Sequence, residues 1–283
     1  MNMFYSISNE YLECEINDMG AELHSLRSKE NGKEYIWEGR PEIWYGQSPI
    51  LFPVIGQLNS DTYYYGGTAY HLPKHGFARK MKFTLENCNL NKASFCLEPT
   101  ADTLEMYPFE FLLRADFELE GRALINTLSV ENRSGKTMYF SIGAHPAFAC
   151  EVGDIIEFEQ PETICTERID NTNMLIDKKF PCLDNEKEIV ITKEIFEPDA
   201  LILSGMKSKK LRIKGKNEVE FTFGDCPVLG IWAKPGAPYV CIEPWYGIND
   251  SHEVKSDISE KREIRSLEPG KTFSFSWKAE IIG

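Results

Sequence analysis

The chain is predicted to be all-β, one large antiparallel domain of stacked sheets. Three observations carry this. Apolar and polar residues alternate with a period of two along much of the sequence. Short runs are broken by turns rich in glycine and proline. Helical periodicity is scarce. Successive side chains of a strand point to opposite faces, so alternation marks strands with one dry and one wet face.

Taken in order, Leu12, Cys14 and Ile16 alternate with acids. Asn31-Gly32 separates Leu23–Ser28 from Glu34–Trp37, and Gly66-Gly67 separates Tyr63–Tyr65 from Ala69–Leu72. Both read as hairpins, because tight two-residue turns need the positive φ that glycine and asparagine tolerate. Met81, Phe83 and Leu85 alternate with polar residues, and Ala101–Tyr107 predicts one or two helical turns. Further breaks fall at Ser134-Gly135, Lys214-Gly215, Pro235-Gly236 and Pro269-Gly270. Phe221 and Phe223 flank Thr222, and Phe273, Phe275 and Trp277 alternate with serines. Some fifteen or more short strands, with no low-complexity linker and no fixed-period repeat, favour a single domain over residues 1–283.

The composition, 42% apolar and 27% charged, is that of an ordinary soluble globular chain. Its length allows a sizeable core without disulfides or metals. With 31 basic and 44 acidic residues the net charge is −13. Such a surface repels phosphate backbones and anionic lipid, which argues against nucleic-acid and membrane partners. No run approaches the roughly 20 apolar residues of a membrane span, and the N-terminus has no basic region followed by an apolar stretch, so a cytoplasmic location is expected. Eight cysteines form no C-x-x-C pair, and several sit in alternating runs. They are expected to be reduced core thiols. No G-x-S-x-G elbow, P-loop or dinucleotide fingerprint is present, so nothing marks a nucleotide, a flavin or a serine nucleophile.

Chemistry concentrates in three separated motifs: His75-Gly76-Phe77-Ala78-Arg79, Gly143-Ala144-His145-Pro146-Ala147-Phe148 and Ile242-Glu243-Pro244-Trp245-Tyr246-Gly247. His75 follows a hairpin on backbone marked by Pro73 and Gly76. It is either a hydrogen-bonded surface histidine or a displayed functional one. A His71/His75 metal pair lacks further ligands at regular spacing, so no metal is expected. Arg79 is either a surface charge or a rigid fork of donors for hydroxyls, carboxylates or phosphates. His145, at the end of an apolar strand, needs a partner; it is a satisfied core histidine or a general acid. Glu243 among Val, Ile, Pro and Trp is a structural ion pair or a general base with its pKa raised by burial. Phe77, Trp245 and Tyr246 offer flat apolar faces for a sugar ring, or belong to the core. Asp199 reads as a turn aspartate or a ligand contact, and Gln57 on a Pro/Gly-marked loop as a ligand contact or a turn cap.

These motifs, in this order and over essentially the whole chain, resemble the aldose 1-epimerases (galactose mutarotase-like proteins), and among them the bacterial LacX-like branch. The resemblance implies a β-supersandwich fold, no organic cofactor, and interconversion of the α and β anomers of a free aldose. It implies that His145 protonates the ring oxygen, that Glu243 takes the proton of the C1 hydroxyl, that His75 steadies the same region, and that Arg79 and Asp199 hold hydroxyls. Relatives commonly carry arginine where this chain has Gln57, and glutamine keeps hydrogen bonding but loses the charge. Two alternatives stand beside this expectation: a hexose-6-phosphate 1-epimerase, with Arg79 and Lys74 or Lys80 on the phosphate, and a non-catalytic sugar-binding module. A small-molecule sugar is the expected partner, and the protein a monomer or homodimer.

Overall fold

The structure, a computed structural model, describes residues 2–253 and 257–282. It contains 22 strands, one short α-helix and four 3-10 turns among these residues. The architecture is all-β, and every pairing between named strands is antiparallel. A 15-stranded sheet dominates, with a three-stranded sheet and two two-stranded ribbons beside it. Side chains from both ends of the large sheet share one buried core. The alternation in the sequence becomes burial directly: in Leu12–Asn17 the residues Leu12, Cys14 and Ile16 are buried and the acids between them exposed.

Two turn expectations fared differently. Thr62–Tyr65 pairs with Thr68–His71 across Gly66-Gly67, and both glycines have positive φ (56° and 79°). At Asn31-Gly32 the second arm does not form a strand. Glu34 makes a single bridge to Arg27, because its carboxylate accepts the backbone N–H groups of Leu26, Tyr35 and Ile36 and so diverts the ladder. Residues 101–106 form the short helix, capped by Thr100, whose hydroxyl accepts from the Thr103 N–H.

The part of the sheet that matters for function runs through Ile50–Leu51, Ile142–Ala144, Tyr239–Tyr246, Val228–Trp232, Leu201–Ser204 and Ile155–Ile169, each hydrogen-bonded to the next. Tyr239–Tyr246 is buried on both faces along nearly its whole length. A continuous apolar run such as Val240-Cys241-Ile242 fits such a strand. No helix among the described residues is long and apolar enough to cross a membrane.

Candidate active site

His145 and Glu243 are brought together by register. Strand Tyr239–Tyr246 pairs with Ile142–Ala144 through Gly143 opposite Trp245, and with Ala147–Ala149 through Ala147 opposite Cys241. Between these strands the ladder is interrupted at His145-Pro146, where proline has no N–H to donate. Carried through the interruption, the same register sets His145 against Glu243. Nε2 of His145 lies 3.2 Å from Oε2 of Glu243, and both residues are buried, Glu243 at 1% relative exposure and His145 at 8%.

On its other side Glu243 pairs with Gly230. A β-carbon at position 230 would come within 2.6 Å of the Trp245 ring. The glycine thus makes room for the indole, whose Nε1 donates to Oε2 of Glu243 at 3.1 Å.

His75 is fixed by the neighbouring loop. Its N–H donates to the Gly56 carbonyl at 2.8 Å, and its Nδ1 accepts the Gly56 N–H at 3.0 Å. An accepting Nδ1 places the ring proton on Nε2 and keeps the imidazole neutral. The backbone of His75 is left-handed (φ 65°), a conformation that costs a non-glycine residue about 1–3 kcal/mol and persists only where its surroundings enforce it. Here Gly56 and the bonds from Phe77 and Ala78 to the Phe52 carbonyl enforce it. The His75 ring stands edge-on to His145, with centroids 6.0 Å apart.

These groups line a cavity of about 190 Å3 together with Trp44, Lys74, Arg79, Asp199, Trp232, Trp245 and Asn249. That is below the roughly 300–1,000 Å3 of pockets for drug-sized ligands and suits one small polar molecule. Arg79 enters from the 3-10 turn Ala78–Lys80. Its Nη2 donates to the Lys74 carbonyl at 2.8 Å, while its buried Nε has no hydrogen-bond partner. Lys74 donates to Oδ1 of Asn173 at 2.6 Å, and Asn249 donates to the Asn173 carbonyl at 3.0 Å. Asp199 sits in a left-handed turn (φ 64°) ahead of Leu201–Ser204, and its carboxylate accepts the Ala200 N–H. It is both a turn residue and a cavity wall.

Burial governs the electrostatics. Desolvation, aided by Arg79 and Lys74 and opposed by a backbone hydrogen bond, pulls His145 down to about 3. Desolvation pushes Glu243 well above the carboxylate range, with Asp199 adding to it and the Trp245 N–H and Lys74 opposing it. His75 is likewise held neutral, chiefly by burial. Both members of the His145/Glu243 pair are therefore driven towards their uncharged forms. When the pair holds a single proton, moving it across the 3.2 Å contact converts His·GluH into HisH⁺·Glu⁻ with no exchange with solvent.

Of the residues expected from the sequence, His75, Arg79, His145, Asp199, Glu243 and Trp245 line this cavity. Two do not. Phe77 packs into the core against Phe52, Tyr107 and Phe111, because its backbone is tied to the Phe52 carbonyl. Gln57 turns its amide to the Leu58 carbonyl and the Asp61 carboxylate in the adjoining turn. Tyr246 faces elsewhere, edge-on to Phe273, tilted against Phe275 and under the Arg265 guanidinium. The sequence reading missed Trp44, Trp232 and Asn249. The two tryptophans flank the His145 ring at centroid distances of 5.1 and 5.8 Å. Each stands beside turn residues (Trp44-Tyr45-Gly46; Trp232-Ala233-Lys234-Pro235-Gly236), a signal available but not used.

Comparison with known proteins identifies the family and the fold. The sequence model for the family described as aldose 1-epimerase matches residues 3–277. The chain belongs to the aldose 1-epimerase family. A relative, the plasmid-encoded protein LacX of Lactococcus lactis subsp. lactis, is 32% identical over 99% of this chain and 100% of its own length. A galactose mutarotase-related enzyme from Lactobacillus acidophilus superposes with a TM-score of 0.94 at 31% identity, covering 99% of this chain and 98% of that one. A galactose mutarotase-like protein from Lactobacillus casei gives 0.93 at 26% identity, covering 99% and 100%. The galactose mutarotase-like fold of these epimerase relatives is the stacked all-β architecture described above.

Proposed function

We propose that residues 1–283 act as one aldose 1-epimerase unit that interconverts the anomers of a free hexose by general acid/base ring opening. The observation that carries this is the buried His145/Glu243 pair, 3.2 Å apart on the cavity wall. Ring opening removes a proton from the C1 hydroxyl and delivers one to the ring oxygen. A pair holding a single proton supplies one base and one acid. Glu243 takes the hydroxyl proton in its carboxylate form, which the Trp245 N–H favours, while protonated His145 gives its proton to the ring oxygen. Opening leaves the pair as neutral His145 and protonated Glu243. After rotation about C1–C2 the roles reverse, and closure on the other face restores the starting tautomer. No net proton is exchanged with solvent, so the burial of the pair is no obstacle.

The remaining walls hold the sugar. Neutral His75, with its proton on Nε2, donates to the same polar region. Arg79, Asp199, Lys74 and Asn249 offer donors and acceptors to hydroxyls. Trp44, Trp232 and Trp245 provide flat faces to the ring's C–H surface. Fixing the hydroxyls lowers the entropic cost of reaching the reactive geometry. A sugar-binding module would not require an acid/base pair of this kind. The site needs no organic cofactor for this chemistry, and the sequence offers no motif for one.

A second reading, a hexose-6-phosphate 1-epimerase, is favoured by one observation. Lys74 and Arg79 both line the cavity, and each is held by a neutral oxygen, leaving charge for an anionic group. One panel decides between them. Exchange between anomers of glucose, galactose and their 6-phosphates is followed by NMR magnetisation transfer. Faster exchange of free hexoses, with kcat/KM for the phosphates no higher, is expected. Preference for the phosphates selects the second reading, and sugar binding without faster exchange eliminates both.

A further inference from the structure

Cys241 has no task in the proposed reaction, yet it lies against the reacting pair. Side chains two apart on a strand point the same way, so Cys241 lies on the side of Tyr239–Tyr246 that carries Glu243 and Trp245. Cys241 is fully buried. One ligand atom each from His145, Cys241 and Glu243 lies within 4.8 Å of the others. The His145–Glu243 separation is 3.2 Å. Tetrahedral zinc, with bonds of about 2.0–2.3 Å to nitrogen, oxygen and sulfur, spaces its ligand atoms at about 3.3–3.7 Å. The His145–Glu243 separation is already close to that spacing, and the Cys241 sulfur lies within 4.8 Å of both. A thiolate, an imidazole and a carboxylate are a zinc-type donor set; magnesium and calcium prefer all-oxygen shells.

We infer that His145, Cys241 and Glu243 form a binding site for a thiophilic divalent cation, Zn²⁺, reached from the cavity through His145 and Glu243. Three protein ligands leave a fourth position for water.

Charge balance supports the assignment. Before binding, a thiol at Cys241 and a singly protonated His145/Glu243 pair hold two protons between them. Binding needs neutral imidazole, carboxylate and thiolate, so both protons leave as the ion enters. Two positive charges replace two, and the buried cluster keeps its net charge, avoiding the large cost of an uncompensated buried ion. One consequence rests on the epimerase reading: the metal occupies the nitrogen and oxygen that carry the protons, so the zinc-bound form is inactive.

The test uses the full chain, freed of metal by chelation, titrated with Zn²⁺ in calorimetry across buffers of different protonation enthalpy, and with Co²⁺ as a spectroscopic substitute. The expected result is one ion per chain, release of about two protons, and an intense thiolate-to-cobalt absorption band. Cys241→Ala should weaken binding at least about tenfold and abolish the band, since losing even an outer partner of a metal ligand costs about 10–100-fold. His145→Asn should weaken binding to a similar degree and decides the matter if Cys241→Ala fails to fold by circular dichroism. Absence of stoichiometric Zn²⁺ binding overturns the proposal. So does a cobalt–thiolate band that survives Cys241→Ala, which would locate the metal at another cysteine such as the exposed Cys88 or Cys165. The binding arms need no activity, so they stand or fall apart from the epimerase reading. Where anomer exchange is measurable, Zn²⁺ should inhibit the wild type and leave the exchange rate of Cys241→Ala unaffected at the same concentration.

Discussion

Trp245 donates its indole N–H to Oε2 of Glu243 at 3.1 Å, the same oxygen that faces Nε2 of His145. The indole thus stabilises the carboxylate form of a residue that burial drives towards the acid. Trp245→Phe removes the donor and keeps the ring face. Hydrogen bonds to charged groups are worth roughly 1.5–3 kcal/mol, so kcat should fall about tenfold or more, and the alkaline limb of the pH profile should move up. An unchanged alkaline limb would show that the indole does not tune Glu243.

Removing either member of the pair should cost about 10²–10⁴-fold in kcat, the usual contribution of a positioned acid or base. Glu243→Gln and His145→Asn are the variants, and anomer exchange by NMR or polarimetry is the readout. The double variant should be little slower than either single one, because half a proton shuttle serves no purpose. Near wild-type exchange in both single variants would remove these residues from the mechanism.

The pH dependence follows from the directions of the shifts. Activity needs the pair singly protonated. On the acid side it is lost when the pair takes a second proton. His145, lowered to about 3, opposes that, so the acid limb should lie well below the 6.5 of free imidazole. On the alkaline side activity is lost when the pair gives up its only proton. Glu243, raised by burial, resists that, so this limb should lie well above the ordinary carboxylate range. A broad plateau through neutrality is expected in kcat/KM, measured with chelator present. An acid limb near 6.5 would contradict it.

Trp44 shields the His145 ring at a centroid distance of 5.1 Å. Trp44→Ala should admit water beside the imidazole, relieve part of the desolvation, and move the acid limb up towards 6.5. KM should rise as well, since a face for the sugar is lost. A pH profile identical to wild type would show that Trp44 is not what keeps the ring dry.

Gly230→Ala tests the backbone beneath the site. Its β-carbon would come within 2.6 Å of the Trp245 ring. Overpacking typically costs about 1–3 kcal/mol, so the melting temperature should fall and kcat should drop as in Trp245→Phe. A variant with unaltered activity would mean that the indole finds another seat.

How much of this was legible in the sequence depends on the range of the physics involved. The strands of Leu12–Asn17 and Thr272–Ile281 and the Gly66-Gly67 hairpin were legible because side-chain alternation and positive φ are local properties. The candidate site residues His145 and Glu243 stood out because an ionisable group inside an apolar run demands a partner, whatever that partner is. Family membership, too, was visible in three short motifs. What only the tertiary structure decided is direction and proximity. That Phe77 turns into the core while its neighbour His75 lines the cavity depends on one carbonyl, that of Phe52, and on a left-handed residue before it. That Gln57 turns away depends on Asp61 nearby. Trp44, Trp232 and Asn249 come from segments with no common pattern, and only the stacking of the sheet gathers them. Sequence patterning sets which residues must be buried. Long-range strand register, fixed by packing and by the break at Pro146, sets which buried groups meet.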